Sequence, residues 1–313
     1  MYRRFLSLIA FAVVATLASL PVRADDDEAI KKEFQTMYDK AAMVFQSRSA
    51  DAYASKLAPG FKNISLLGKE QTADEWMTAL KVQLTAFKPA NASILLRSLT
   101  VKDTEATAVI QSKYDGILTD DEGKENKYSS NHYLRHVWVK ADGGWKLKTQ
   151  ALLMEENRKN GLRTPPRANV ESETARDAIQ QIYEAMEKVY NSKDVAALEK
   201  GVPQDFVGKA QDGTPLDRKQ FIERIKISLA LQTNPNISII IYQIEATGDN
   251  AVVVRLQRLT SEISLPTGTK GKLTHFGTYR DKWTKTPKGW TSKDSEELYA
   301  ETMLDGKPFP PGK

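Results

Sequence analysis

The chain has no cysteine among its 313 residues and only three histidines, His132, His136 and His275. The lack of cysteine removes disulfides, thiolate metal ligands, thiol nucleophiles and a lipid-attachment site together. The scarcity of histidine leaves little for a metal centre. His132 and His136 have the HxxxH spacing that would serve one zinc ion on a helix. Here Tyr133, Val137, Trp138 and Val139 surround them, which reads as strand. Four residues along a strand span about 13 Å, too far for a single ion. No metal and no cofactor is therefore expected. The chain also lacks a GxGxxG turn, a Walker loop and a GxSxG elbow. Those absences exclude the nucleotide-binding and serine-hydrolase classes that carry them.

Long apolar runs are missing as well, save one. Arg3-Arg4, the mostly apolar Phe5–Leu20 and then Pro21-Val22-Arg23-Ala24 have the three parts of an export signal. Sixteen residues are short for a spanning helix, which needs about 20. Residues 1–24 are therefore expected to be removed, leaving Asp25 first and no membrane span in the mature form. Loss of Arg3, Arg4 and Arg23 takes the formal charge from +5 to +2. Most of the case for nucleic-acid binding goes with those residues. The expected location is periplasmic or secreted.

What is present is a repeat. The composition, 41% hydrophobic and 27% charged, is that of a globular chain long enough for two domains. Adding 145 to a residue number in the first part lands on a similar residue in the second. Tyr38 maps to Tyr183, Phe61 to Phe206, Trp76 to Phe221, Leu84 to Leu229 and Trp138 to Trp283. Gly144-Trp145 maps to Gly289-Trp290. A period this long means duplicated domains rather than a solenoid of short repeats. Each copy opens with an amphipathic helix, whose stripe is Ile30, Phe34, Met37, Tyr38, Ala41, Val44 and Phe45 in the first and Ala175, Ile179, Ile182, Tyr183, Met186, Val189 and Tyr190 in the second. A short helical piece and a brief strand follow. A second helix starts after Thr72 or Asp217, each an N-cap residue. Four strand-like runs close each copy, in the first Ala92–Lys102, Glu105–Leu118, Lys127–Lys140 and Gly144–Met154. The expected class is α+β, two fused cone-shaped domains with helices on a curved antiparallel sheet. Boundaries are set at 25–157, a linker at 158–172, 173–300 and a tail at 301–313.

This order of elements, with Arg135-x-x-Trp138 before Gly144-Trp145 mirrored by Arg280-x-x-Trp283 before Gly289-Trp290, resembles the nuclear transport factor 2-like superfamily. The endings are similar to those of SnoaL-like and ketosteroid-isomerase-like members. The resemblance implies a conical half-barrel whose open end makes an apolar pocket, and an internal pseudo-dimer of the two copies. It leaves activity open, because one fold hosts many functions.

Catalysis of the ketosteroid-isomerase kind needs a carboxylate base and an oxyanion donor. Glu28/Glu173 and Asp39/Glu184 are acid pairs kept in both copies, and both lie on the first helix. The pocket candidates are Tyr38, Trp76, Tyr114, His132, Tyr183, Phe221 and His275. The expected function is a non-catalytic module that binds a small apolar ligand or a protein partner. The alternative is an isomerase, lyase or hydrolase active in one copy only.

Overall fold

A computed structural model describes residues 24–120, 122–164, 169–264, 268 and 270–309. The expected export signal lies outside these residues but for Ala24, as do Pro165 and Pro166 of the expected linker.

In the first half, α1 (Ala24–Gln46) buries Phe34, Tyr38 and Ala42, which lie on one face because i, i+4 and i+8 stack along a helix. A short α2 (Ala50–Ala54), β1 (Leu57–Ile64) and β2 (Glu70–Thr72) lead to α3 (Ala73–Ala86). Thr72 caps α3 through a capping box with Glu75, a device worth about 1 kcal/mol. Four long strands follow: β3 (Phe87–Lys102), β4 (Glu105–Thr119), β5 (Glu125–Ala141) and β6 (Gly144–Lys159), then a stub, β7 (Leu162–Arg163). The sheet order is β2-β1-β6-β5-β4-β3, with β7 on β6. Only the β1–β6 pair is parallel. The strand β3 is an edge.

The second half repeats this. It runs α4 (Val170–Asn191), α5 (Val195–Gly201), β8 (Val207–Lys209), β9 (Pro215–Asp217), α6 (Arg218–Leu231), β10 (Gln232–Thr247), β11 (Asn250–Ser264), β12 (Lys270–Thr286), β13 (Gly289–Leu304) and β14 (Lys307–Pro308). From β9 and α6 onward, every element starts and ends 145 residues after its counterpart. Asp217 and Gln220 rebuild the capping box of α6. The sheet order is β10-β11-β12-β13-β8-β9, so β10 is the edge that matches β3. Even the bulges correspond: the register shifts between Leu96 and Ser98 in β3 and between Ile241 and Gln243 in β10. The chain is α+β, with one compact unit inside residues 20–165 and the other inside 166–313.

Three expectations are corrected. Met186, placed on the buried stripe, is 41% exposed. Residues 158–163 are sheet rather than linker, because β6 runs through Lys159 and turns into β7. Asn160 (φ 53°) and Gly161 (φ 83°) form that two-residue turn, the pairing that suits a tight hairpin. Residues 301–308 are likewise no tail: β13 reaches Leu304, and Asp305 (φ 51°) and Gly306 (φ 76°) turn the chain into β14. Asn-Gly and Asp-Gly were the signals for both turns.

Each half has its own core under its first helix. In the first, Phe34, Tyr38, Phe61, Ala106, Ala108, Ile110, Trp138 and Leu147 pack together. In the second, Ile179, Tyr183, Ile237, Ile239, Val253, Leu259 and Trp283 do so. Among the described residues no helix is long and apolar enough to cross a membrane.

Candidate functional site

The two central tyrosines sit deep in these cores, and each receives the indole N–H of its tryptophan. Trp138 Nε1 donates to Tyr38 Oη at 2.9 Å, and Trp283 Nε1 donates to Tyr183 Oη at 3.2 Å. What each hydroxyl donates to is where the copies part. Tyr38 meets His136 Nδ1 at 3.2 Å. His136 Nε2 meets Gln150 Oε1 at 3.1 Å, Gln150 donates to Asn63 Oδ1 at 3.0 Å, and Asn63 donates to Gln71 Oε1 at 2.7 Å. Every link is satisfied when the protons run one way, from Trp138 to Gln71, which places the ring proton of His136 on Nε2. Burial holds the His136 pKa down to about 4, with the Gln150 bond opposing the drop. The imidazole is therefore neutral near pH 7.

At the matching place in the second half stands Asp281. Its Oδ2 accepts from Tyr183 at 2.6 Å and from Arg255 Nε at 2.7 Å, and its Oδ1 accepts from Ser295. Arg255 replaces Ile110, Asp281 replaces His136 and Ser295 replaces Gln150. Arg255 and Asp281 are 11% and 4% exposed as side chains. A buried carboxylate beside isoleucine would be uncompensated, so the two exchanges depend on one another. Arg255 also stacks over Tyr279, 4.1 Å from the ring centre.

A second polar cluster in the first half lies toward the far ends of β4 to β6. It brings together two of the pocket candidates, Tyr114 and His132. Tyr114 Oη is 3.5 Å from His132 Nδ1, and His132 Nε2 is 2.6 Å from Ser130 Oγ. Ser130 donates to Asn157 Oδ1 at 2.7 Å, and Asn157 donates to Glu155 at 3.3 Å. Phe45 packs tilted and Phe87 edge-on against Tyr114, with ring centres at 5.0 and 5.6 Å. His132 Nε2 and Glu155 are 3.7 Å apart, within ion-pair range. Burial holds the His132 pKa near 4, with the Asn157 bond pulling the other way, so the contact is dipolar rather than ionic at pH 7.

In the second half the equivalent end is built differently. Gly277 stands where His132 would be, and a Cβ on it would fall 2.6 Å from the Tyr279 ring. Tyr279 takes that space and meets His275 Nε2 at 3.1 Å, while His275 Nδ1 meets Thr302 at 2.9 Å. Glu297, paired in register with Tyr279, replaces Leu152. Burial pushes its carboxyl up, Arg224 and Arg255 pull it back, and Asp212 adds to the rise.

Trp76 and Phe221 are in neither cluster. They occupy equivalent places on α3 and α6, with ring centres 5.3 Å from Phe61 and 4.7 Å from Phe206. Tyr38 and Tyr183 are core residues with satisfied hydroxyls. His136, Glu155, Arg255, Tyr279, Asp281 and Glu297 were not among the sequence candidates. Matching residues between copies finds shared packing, and these are positions where the copies differ. The paired exchange at 110/255 and 136/281 was the available signal. An open groove lies apart from both clusters, between α1 and β3. Among the described residues no group of three or more His, Asp or Glu side chains could hold a metal ion.

No protein-family model matches the chain, and no curated protein does. Solved structures do. A nuclear transport factor 2-like superfamily protein from Salmonella enterica serovar Typhimurium is 16% identical, with 40% of this chain and 90% of that one covered and a TM-score of 0.33. A protein from Streptomyces avermitilis, described as a dehydratase of the same family, is 15% identical over 40% of this chain and 96% of its own, with a TM-score of 0.33. A third, from Cytophaga hutchinsonii, is 16% identical over 39% and 95%, with a TM-score of 0.31. The fold stands on the element and strand orders given above. Over about one half's length at a time, the chain is similar to nuclear transport factor 2-like proteins.

Proposed function

We propose that the protein is an exported, non-catalytic binding module whose first half takes a small apolar ligand carrying one hydrogen-bonding group. The observation that carries this is how the polar groups around the two central tyrosines, Tyr38 and Tyr183, close on one another. Both oxygens of Asp281 are filled by Tyr183, Arg255 and Ser295, and the Trp138-to-Gln71 chain leaves no group facing a substrate. The Tyr114–His132–Glu155 end differs, since His132 and Glu155 are still 18% and 15% exposed inside an aromatic wall. That combination of apolar shell and few polar groups suits ligand binding.

The test is a melting-temperature screen with phenols and cyclic ketones, run alongside product analysis by mass spectrometry. Ligands that raise the melting temperature of the wild type should fail to do so with Tyr114→Phe and His132→Leu, and should be recovered unchanged. A second reading rests on Glu297. A carboxyl with a raised pKa beside Tyr279 and two arginines could serve an isomerase or lyase in the second half. Turnover of a screen member that is lost in Glu297→Gln would put this reading in place of the first.

A further inference from the structure

The bonds around His132 fix which of its ring nitrogens carries the proton. Ser130 has one hydroxyl proton and gives it to Asn157 Oδ1 at 2.7 Å, because that oxygen can only accept. Asn157 is oriented in turn by its amide nitrogen, which donates to Glu155 at 3.3 Å. His132 Nε2 therefore has lone pairs on every side: Ser130 Oγ at 2.6 Å, Asn157 Oδ1 at 3.4 Å and a Glu155 carboxylate oxygen at 3.7 Å. The ring proton sits on Nε2. Nδ1 is left as a bare acceptor, on an imidazole that burial keeps neutral.

Among the described residues, the Tyr114 hydroxyl is the partner of Nδ1, and it stands at 3.5 Å, the far limit of a hydrogen bond. Its other contact is just as long. Gln83 Nε2 donates to Tyr114 Oη at 3.5 Å, which uses a lone pair of the hydroxyl and leaves its proton for the His132 side. Bonds are thus short on the Nε2 side and slack on the Nδ1 side. Gln83 is exposed and Ser130 buried, so the slack contacts are the outer ones. Two atoms 3.5 Å apart share positions about 2.8 Å from both, so one more atom can bond each of them without displacing either. That atom has to accept from Tyr114 and donate to Nδ1. A hydroxyl does both. A carbonyl or ether oxygen only accepts, and would set its lone pair against that of Nδ1.

We propose that the group recognised here is a hydroxyl, so that the first half takes an alcohol or phenol on an apolar body and discriminates against the matching ketone and ether. The inference rests on the ligand-binding reading of this half and narrows its ligand class. Tyr114 donates to the ligand oxygen, His132 Nδ1 accepts the ligand proton in a hydrogen bond, and Gln83 positions Tyr114. Phe45 and Phe87, packed on Tyr114, face the apolar body. An acceptor left unpaired in a dry site is what gives such discrimination its size. Leu259 and Gly277 stand at the places of Tyr114 and His132 in the second half, so this pair exists once in the chain.

The probes are an indanol, the matching indanone and the matching methoxyindane, which share a ring system and differ at the oxygen. Titration calorimetry on the full chain should find the alcohol bound about tenfold more tightly than either of the others, the loss that one unpaired acceptor brings. His132→Leu should bring the alcohol down to the level of the ketone and leave the ketone little changed. Nitrogen NMR of the wild type reads the same point without a variant. In the free protein Nδ1 of His132 should be unprotonated, and its signal should move toward the protonated range with the alcohol but not with the ketone. Ketone or ether binding as tight as that of the alcohol, a proton found on Nδ1, or an Nδ1 signal unmoved by bound alcohol would overturn the inference and leave the pocket standing. No saturable binding by any of the three would remove the pocket itself, and the inference with it.

Discussion

Arg255 and Asp281 make the case for reading substitutions in pairs. Removing one partner of a buried ion pair costs about 3–5 kcal/mol, because the other charge stays buried alone. Arg255→Ile should therefore destabilise the protein by that amount in denaturant unfolding. Adding Asp281→His, which installs the residues that stand at 110 and 136, should recover at least half of the loss. Additive costs in the double variant would show that the two positions are not coupled. Trp76 belongs to the same scale. Its ring packs on Phe61 and Tyr53 with centres at 5.3 and 6.3 Å, so Trp76→Ala should cost about 3 kcal/mol and Trp76→Phe about 1 or less. Equal losses for the two variants would mean that the indole does something beyond filling space. Packing residues such as Phe34, Trp138 and Trp283 could be found from periodicity and repetition alone. The polar partners could not, since His136 and Asp281 share a position and a role as acceptor but no chemistry that a likeness search rewards.

Elements were easier to foresee than their ends. The two helix starts at Thr72 and Asp217 were written in cap residues, and the capping boxes are there. The strands outran expectation at both sides, β3 beginning at Phe87 rather than Ala92. Local composition around Lys88-Pro89-Ala90 looks like a turn, but sheet pairing overrides it. Gly116 shows why the pairing can be so close at that point. A Cβ there would lie 2.2 Å from Lys88 O and 2.9 Å from the Phe87 ring. Gly116→Ala should loosen the start of β3 against β4 and with it the Phe87 wall beside Tyr114. The expected readout is faster amide exchange at Phe87 to Asn91 with the rest of the sheet unchanged; unaltered exchange there would count against a tight approach.

At the scale of the whole molecule the two halves should differ in acid. His132, His136 and His275 all have pKa values held near 4 by burial, against about 6.5 in an unfolded chain. A depressed histidine favours the neutral form in the fold. Its contribution is complete above about pH 6.5 and is lost as pH falls toward 4, up to about 3 kcal/mol each. Two of the three lie in the first half, so hydrogen exchange should find that half opening first between pH 6.5 and 4, and His136→Gln should narrow the gap. Simultaneous opening of both halves would contradict this. Export is a separate expectation: mass spectrometry of the mature protein should find Asp25 at its N-terminus, and a form that retains Phe5–Leu20 would reject the leader.

The run of donors from Trp138 to Gln71 has a sense of travel, and that has a consequence at its exposed end. Each group in it accepts from one neighbour and donates to the next, so no single member can turn around without stranding two others. The tautomer of a deeply buried imidazole is thus dictated by an amide oxygen on β2, at the margin of the sheet. Gln71→Lys would set a pure donor against the donating amide of Asn63 and push the reversal inward. Asn63 and Gln150 would have to flip, and His136 would carry its proton on Nδ1, facing a Tyr38 hydroxyl already receiving one from Trp138. Nitrogen NMR of the His136 ring would register a change made at the rim as a signal in the core.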